Sequence, residues 1–112
     1  MTIGEFSRRC GLSPKVLRSY AEVGVLVPAA VDEASGYRYY ETIQLEQAQT
    51  VRLLRRAGIS LPDISRFLGA PSAEAVEGWE HSLTAEVLSR REALAQVRCR
   101  LGPGAVRTRG RR

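Results

Sequence analysis

The sequence predicts a mainly α-helical fold: a helix-turn-helix domain with a small β-hairpin as its wing, followed by one long helix. Three observations predict it. A glycine turn at Gly11 leads into a short helix with a buried back and a basic front. Valines, a polar bend and a cluster of tyrosines follow, which is typical of a hairpin. From Ser72 to about Leu101 the chain then keeps the apolar periodicity of a single helix.

The charge of the chain suggests a polyanionic partner. Its 112 residues include 17 Lys and Arg against 12 Asp and Glu, a formal net charge of +5. Most of this excess lies in the last residues, at Arg107, Arg109, Arg111 and Arg112. A basic surface elsewhere in the chain must therefore come from the positions of individual charged side chains and not from the net charge. All basic residues except Lys15 are arginine, which favours phosphate and guanine recognition but is explained at least as well by a GC-rich genome.

Several classes of protein are disfavoured. Cys10 and Cys99 lack metal-ligand spacing and His81 is the only histidine, so we expect no metal site, no disulfide framework and no cofactor. No nucleophile–base pair or phosphate loop indicates an enzyme. No apolar run could span a bilayer and no signal peptide begins the chain, so we expect a soluble, cytoplasmic protein with no membrane partner.

The first helix begins at a capping box, Thr2-Ile3-Gly4-Glu5, in which Thr2 caps the helix and Glu5 reaches back to it. Ile3, Phe6 and Cys10 recur at helical spacing and predict its buried face. Gly11 ends the helix.

The second helix begins with Ser13 as N-cap and Pro14 at the first helical position, and Gly24 closes it after about Val23. Its predicted buried residues are Val16, Leu17 and Tyr20, and its outward residues are Lys15, Arg18 and Ser19. This pattern fits the second helix of a helix-turn-helix. An ordinary helix hairpin in a small α-protein explains this stretch about as well.

The hairpin is predicted from Val25-Leu26-Val27-Pro28, a bend through residues 32–36, and Tyr37-Arg38-Tyr39-Tyr40. Three tyrosines around one arginine could simply be hairpin packing. Next to a helix-turn-helix, they favour a wing that touches a nucleic-acid backbone, since Tyr and Arg both reach phosphates.

Helical periodicity returns at Glu41, and this third helix ends at Gly58. A second capping box, Ser60-Leu61-Pro62-Asp63, opens a short fourth helix that stops at Gly69-Ala70-Pro71.

Ser72 caps the last and longest helix, whose apolar residues form a heptad-like stripe broken at Arg90. The stripe consists of Val76, Trp79, Leu83, Val87, Leu94, Val97 and Leu101. A helix this long needs a partner helix, most economically from a second copy of the chain; the alternative is packing along its own domain. We expect three segments: a DNA-binding domain at 1–70, a dimerisation helix at 72–101 and a disordered arginine-rich tail at 102–112.

Five motifs in register resemble the MerR family of bacterial transcription regulators. They are Thr2-Ile3-Gly4-Glu5-Phe6, Leu17-Arg18-Ser19-Tyr20, Gly24-Val25-Leu26, Gly36-Tyr37-Arg38-Tyr39-Tyr40 and Gly58-Ile59-Ser60-Leu61-Pro62-Asp63-Ile64. The resemblance is close over about residues 2–70, and the long helix matches in position and character. It implies winged helix-turn-helix modules joined as a homodimer by an antiparallel coiled coil. Such dimers bind a near-palindromic promoter operator in double-stranded DNA and distort it so that RNA polymerase can engage both promoter elements.

The resemblance also assigns site residues. The recognition-helix contacts correspond to Lys15, Arg18 and Tyr20, with Ser19 in place of the usual aromatic residue beside Tyr20. The wing contacts correspond to Tyr37, Arg38 and Tyr40, and the basic residue of the next helix corresponds to Arg55. Tyr39 is less favoured, because alternation along a strand turns it away from Arg38.

The wing bend, Val31-Asp32-Glu33, lacks the arginine of many metal-sensing members and resembles the multidrug-sensing branch. That branch has a ligand-binding domain after the long helix, which this chain does not include. The cysteines that metal sensors carry at the start of the long helix are absent at Ser72. The small-molecule effector is therefore left unidentified.

Two other functions stay open. A truncated relative could heterodimerise with a full-length regulator through its long helix and antagonise it, although the intact recognition helix argues against that. An architectural factor for recombination or phage excision could share the winged fold, although such proteins tend to lack a long dimer helix.

Overall fold

The structure, a computed structural model, describes residues 1–102, which form five helices and one hairpin. In chain order they are α1 (Ile3–Cys10), α2 (Pro14–Glu22), β1 (Ala30–Val31), β2 (Arg38–Tyr39), α3 (Gln44–Arg56), α4 (Leu61–Gly69) and α5 (Ala73–Leu101). These elements form two compact units, one from Met1 to Pro71 and one from Ser72 onward. The predicted mainly α-helical, winged helix-turn-helix architecture with a long last helix is confirmed. Apart from Gly102, the predicted tail lies outside the described residues.

Four helices begin where the sequence places a hydroxyl side chain. In each case the hydroxyl oxygen accepts a bond from the backbone N–H three residues on, at 3.1–3.3 Å. A cap of this kind stabilises a helix by about 1 kcal/mol. The capping residues are Thr2, Ser13, Ser60 and Ser72.

The core of the first unit joins all four of its helices. Its largest fully buried side chains are Phe6, Leu17, Leu26, Tyr40, Val51 and Ile64. The ring of Tyr40 stacks on Phe6 with centroids 4.3 Å apart and planes at 12°. The Tyr40 amide donates to the Met1 carbonyl at 2.7 Å, so the residue that follows β2 is held against the start of α1.

The first strand lies later in the chain than predicted. The sequence pattern predicts it at Val25-Leu26-Val27-Pro28, but β1 begins at Ala30 and pairs antiparallel with β2. The Val25 and Leu26 amides instead bond the Tyr20 carbonyl at the end of α2, at 2.9 and 3.5 Å, and both side chains enter the core. Extended pairing therefore starts only after Pro28, which has no N–H to donate.

The second unit contains one long helix. With 29 residues, α5 is about 43 Å long at the α-helical rise. Its bounds agree with the prediction from Ser72 to about Leu101. Within residues 1–102, no helix is long and apolar enough to cross a membrane.

Candidate nucleic-acid interface

The α1–α2 turn and α2 form the helix-turn-helix. Gly11 has φ 82° and its N–H donates to the Ser7 carbonyl at 2.9 Å; this left-handed conformation favours glycine. Leu17 is fully buried, while Val16 and Tyr20 are half-buried. The back of α2 therefore faces the core, as predicted.

The opposite side of α2 is basic and open to solvent. Lys15, Arg18 and Ser19 are exposed, and the first turn contains no acidic residue. Exposed cations together with the positive end of the helix dipole suit a polyanion. The chemistry available is phosphate binding and hydrogen bonding to base edges.

The wing (residues 30–39) is held by a bonded turn around Asp32. Its carboxylate accepts bonds from the Ala34 amide and the Ser35 hydroxyl, both at 3.0 Å. The Asp32 amide donates to the Tyr37 carbonyl at 2.8 Å. The Ala34 bond, followed by the Ser35 bond, lowers the pKa of Asp32. These bonds fix the turn although its side chains lie in solvent.

Tyr40 is not a surface contact residue, so the predicted DNA contact at this position is wrong. Its side chain is 1% exposed and stacked on Phe6, so it belongs to the core. Tyr37 and Tyr39 are instead 60% and 37% exposed, with ring centroids 6.5 Å apart. The exposed tyrosine pair of the wing is therefore Tyr37 with Tyr39.

The hydroxyl of Tyr40, the residue that follows β2, is buried. Burial raises its pKa, while the nearby charges of Arg38 and Arg18 oppose that rise. Among the described residues, the Arg38 Nη1 and the Tyr40 hydroxyl are buried without a hydrogen-bond partner.

Two arginines of α3 lie close to turns. Arg55 is exposed and donates to the Ile59 carbonyl at 3.0 Å, beside the glycine turn that ends α3. Arg52, which no sequence motif singled out, donates to the Cys10 carbonyl at 3.1 Å. The two residues are 42 apart in sequence, so helical periodicity contains no signal for this contact.

The apolar stripe of α5 lies on a helix in which no residue is buried. Val76, Leu83, Val87, Leu94, Val97 and Leu101 are between 38% and 66% exposed, and Trp79 is half-buried. Leu88, which the predicted stripe omits, is also exposed, at 61%. The chain thus presents a long apolar surface.

The described residues contain no group of three or more His, Cys, Asp or Glu placed to hold a metal ion. Cys10 is buried and Cys99 is exposed. The basic surface of α2 and the wing is thus the best-supported candidate site.

Comparison with known proteins places this geometry in a family. Residues 1–70 match the profile of the MerR HTH family regulatory proteins. The transcriptional regulator BrlR of Pseudomonas aeruginosa is 34% identical over 104 residues, which cover 87% of this chain and 38% of BrlR. The chain therefore spans well under half of this relative.

Two solved structures share the fold. The EcmrR chain in the EcmrR–DNA complex of EcmrR-RPo matches with a TM-score of 0.73 and 26% identity, over 90% of this chain and 38% of that one. MtaN, the N-terminus of the Bacillus subtilis multidrug transporter activator, matches with a TM-score of 0.79 and 23% identity, over 92% of this chain and 99% of that one. At this identity, MtaN supports the fold alone.

Proposed function

The chain belongs to the MerR family of helix-turn-helix regulatory proteins, and from that premise we propose that it is a dimeric, sequence-specific DNA-binding transcription regulator. Members of this family are transcription regulators and not enzymes. The proposed operator is a near-palindromic site in a promoter.

One observation carries the proposal: α2 presents an exposed basic face to solvent. Lys15, Arg18 and Ser19 are exposed on α2, and the first turn of this helix contains no acidic residue. A recognition helix in the major groove needs such a face, and the wing, with Arg38, is proposed to lie on the adjacent backbone. The EcmrR relative, whose structure is described as a complex with DNA, supports the same use of the fold.

The proposed contacts divide into two classes. Lys15, Arg18 and Ser19 are proposed to reach base edges, because they are exposed on the recognition helix. The wing and its neighbours are proposed to contact phosphates and sugars. That set is Tyr20, Tyr37, Arg38, Tyr39 and Arg55, with Tyr39 replacing the buried Tyr40.

The dimer is proposed to form through the apolar stripe of α5, paired antiparallel with the same helix of a second copy. The stripe is exposed in the single chain, and a heptad pattern is satisfied by a partner helix. A two-fold dimer requires two equivalent half-sites, which explains a near-palindromic operator.

The regulator is further proposed to bend and untwist the operator so that RNA polymerase can engage the promoter. Deforming a site of this size costs about 1–6 kcal/mol. Phosphate contacts from two wings and two recognition helices would offset that cost.

The decisive experiment titrates the purified protein onto DNA from upstream of its own gene, in a salt series and with stoichiometry measured. We expect two chains per site, and an affinity whose logarithm falls with log[salt] by about 0.9 for each neutralised phosphate. An affinity that does not change with salt concentration, or that is equal for scrambled DNA, would overturn the proposal. A stable complex with another long-helix regulator, without DNA binding of its own, would favour the heterodimer alternative.

A further inference from the structure

We propose that Arg52 is a positioning residue: it fixes the turn between α1 and α2, and thereby sets the angle at which the recognition helix meets DNA, without contacting DNA itself. The inference rests on the proposed DNA-binding function. It assigns a role to an arginine on α3 that neither periodicity nor motif spacing distinguishes from its neighbours.

The contact joins distant parts of the chain. Arg52 is an exposed residue, and its Nη1 donates to the Cys10 carbonyl at 3.1 Å in a partly buried contact. Cys10 is the last residue of α1 and is 5% exposed. The donor sits one residue after Val51, which is fully buried, so the core holds the backbone from which the guanidinium extends.

The guanidinium also lies against the glycine of the turn. A Cβ atom at Gly11 would lie 3.2 Å from Arg52 Nη1 and 3.3 Å from Cζ, and Gly11 has φ +82°. The backbone conformation therefore favours glycine at this position, and a Cβ there would push the guanidinium aside by a few tenths of an ångström. The two residues form one structural unit, named here the Arg52–Gly11 clamp.

The Cys10 carbonyl at the end of α1 is a favourable acceptor for an arginine. The last carbonyls of a helix have no partner within the helix, and the C-terminal end of the helix dipole favours a cation. A charged donor makes a stronger bond to a carbonyl than a neutral one. Arg52 thus ties the end of α1 to α3, and α2 begins only a few residues later.

This role differs measurably from phosphate binding. Arg18 and Arg52 are both exposed, but only Arg18 is proposed to displace counterions when DNA binds. Arg52 already donates to a carbonyl in the free protein. Its removal should weaken DNA binding by loosening α2 while leaving the number of neutralised phosphates unchanged.

The test compares Arg52→Met with Arg56→Met in operator binding across a salt series. Arg56 lies one turn further along α3, is exposed and carries the same charge, so it controls for the general loss of one cation. We expect Arg52→Met to lose about 10-fold more affinity than Arg56→Met, which is about 1.4 kcal/mol, with equal salt slopes. Arg52→Lys, which keeps a donor, should recover part of the affinity.

Two results would overturn the proposal. One is a salt slope for Arg52→Met lower than that of Arg56→Met by about 0.9, the value for one lost phosphate contact. The other is equal affinity of the two variants. A circular dichroism melt of each variant confirms that both are folded at the binding temperature.

A second measurement uses the free protein and does not depend on DNA. The Gly11 amide donates to the Ser7 carbonyl at 2.9 Å and should be protected from hydrogen exchange. We expect Arg52→Met to speed exchange at Gly11, with Arg56→Met unchanged. If the wild-type chain bound no operator, the proposed function would fail, but the exchange measurement would still test the clamp. An unchanged exchange rate at Gly11 in Arg52→Met would refute the clamp and leave the proposed function standing.

Discussion

Arg18 is the residue on which the proposed base readout depends most. Its guanidinium is exposed at the front of α2, and a bidentate contact to a base contributes about 1–3 kcal/mol of discrimination. Arg18→Ala should therefore reduce operator affinity by roughly 10- to 100-fold without changing the melting temperature. Fluorescence anisotropy with labelled operator measures this loss.

The matched control for Arg18→Ala is Arg66→Ala. Arg66 is exposed on α4 and paired with Asp63, so its loss removes one positive charge away from α2. Unchanged affinity in Arg18→Ala, or an equal loss in both variants, would refute the assignment of Arg18 to the recognition surface.

Tyr40 offers a second residue-scale prediction, because its ring and its hydroxyl have opposite roles. The ring packs on Phe6, but the hydroxyl is buried without a partner among the described residues. Removing an unsatisfied buried polar group costs little or stabilises. Tyr40→Phe should thus leave the free energy of unfolding unchanged or raise it by up to about 1 kcal/mol, in urea denaturation, and should leave operator affinity unchanged.

The pH dependence of stability has a definite sign at Tyr40. Burial raises its pKa, so the folded state favours the neutral phenol. This contribution is fully present below the pKa of an unfolded tyrosine, about 10, and is lost as pH rises through the folded pKa. Tyr40→Phe should therefore resist alkaline unfolding better than the wild type; an identical alkaline midpoint would contradict the burial effect.

At the scale of elements, the wing depends on Asp32. Its carboxylate bonds the Ala34 amide and the Ser35 hydroxyl, and these bonds order the turn between β1 and β2. Asp32→Ala should reduce operator affinity by about 2- to 10-fold, because lost wing order weakens phosphate contacts worth on the order of 1 kcal/mol each. Glu33→Ala is the matched control, since it removes the same charge from the next residue of the turn.

Removing a negative charge near DNA should by itself strengthen binding, so Glu33→Ala is expected to bind slightly tighter than the wild type. Equal tightening in Asp32→Ala would show that the turn bonds do not matter for binding. The lowered pKa of Asp32 means that its support of the turn is present above the pKa of an unfolded carboxyl and is lost as pH falls through the folded pKa. Disordering of the wing by this route is therefore expected only in acid.

Local sequence rules predicted the helices better than the wing. A hydroxyl cap is decided by a few adjacent residues, so Ser60 and Ser72 could be read directly from the sequence. The start of β1 could not, because Val25 and Leu26 suit a strand and a core equally well and tertiary packing decided between them. Arg52 was missed for a related reason: its partner is 42 residues away.

The orientation of the tyrosines shows the same limit within the candidate site. Alternation along a strand relates Tyr37 to Tyr39 and separates both from Arg38, and the exposed pair follows that rule. The inward direction of Tyr40 depends on Phe6 on another element. Sequence alone predicted the group as a contact surface, a prediction that stays untested, and did not show which of its members face outward.

At the scale of the whole molecule, the long helix sets the number of recognition surfaces per particle in the proposed dimer. One basic surface binds one half-site, while two surfaces joined through α5 raise the effective concentration of the second at the neighbouring half-site. The exposed apolar stripe is the feature of this chain that would join them. Dimerisation and tight operator binding should therefore be lost together.

The combined variant Leu83→Glu with Leu94→Glu tests this coupling. Both side chains are exposed in the single chain, at 47% and 66%, so the substitutions should leave the fold of each chain intact and place charges in the paired interface. Light scattering should give the mass of the 12.4 kDa chain, against about twice that mass for the wild type.

The control, Ser82→Glu with Gln96→Glu, adds the same charges at exposed positions off the stripe and should remain dimeric. A Leu83/Leu94 variant that stays dimeric would refute pairing through the stripe, whereas a monomer that still binds the full operator with wild-type affinity would show that the two recognition surfaces act independently.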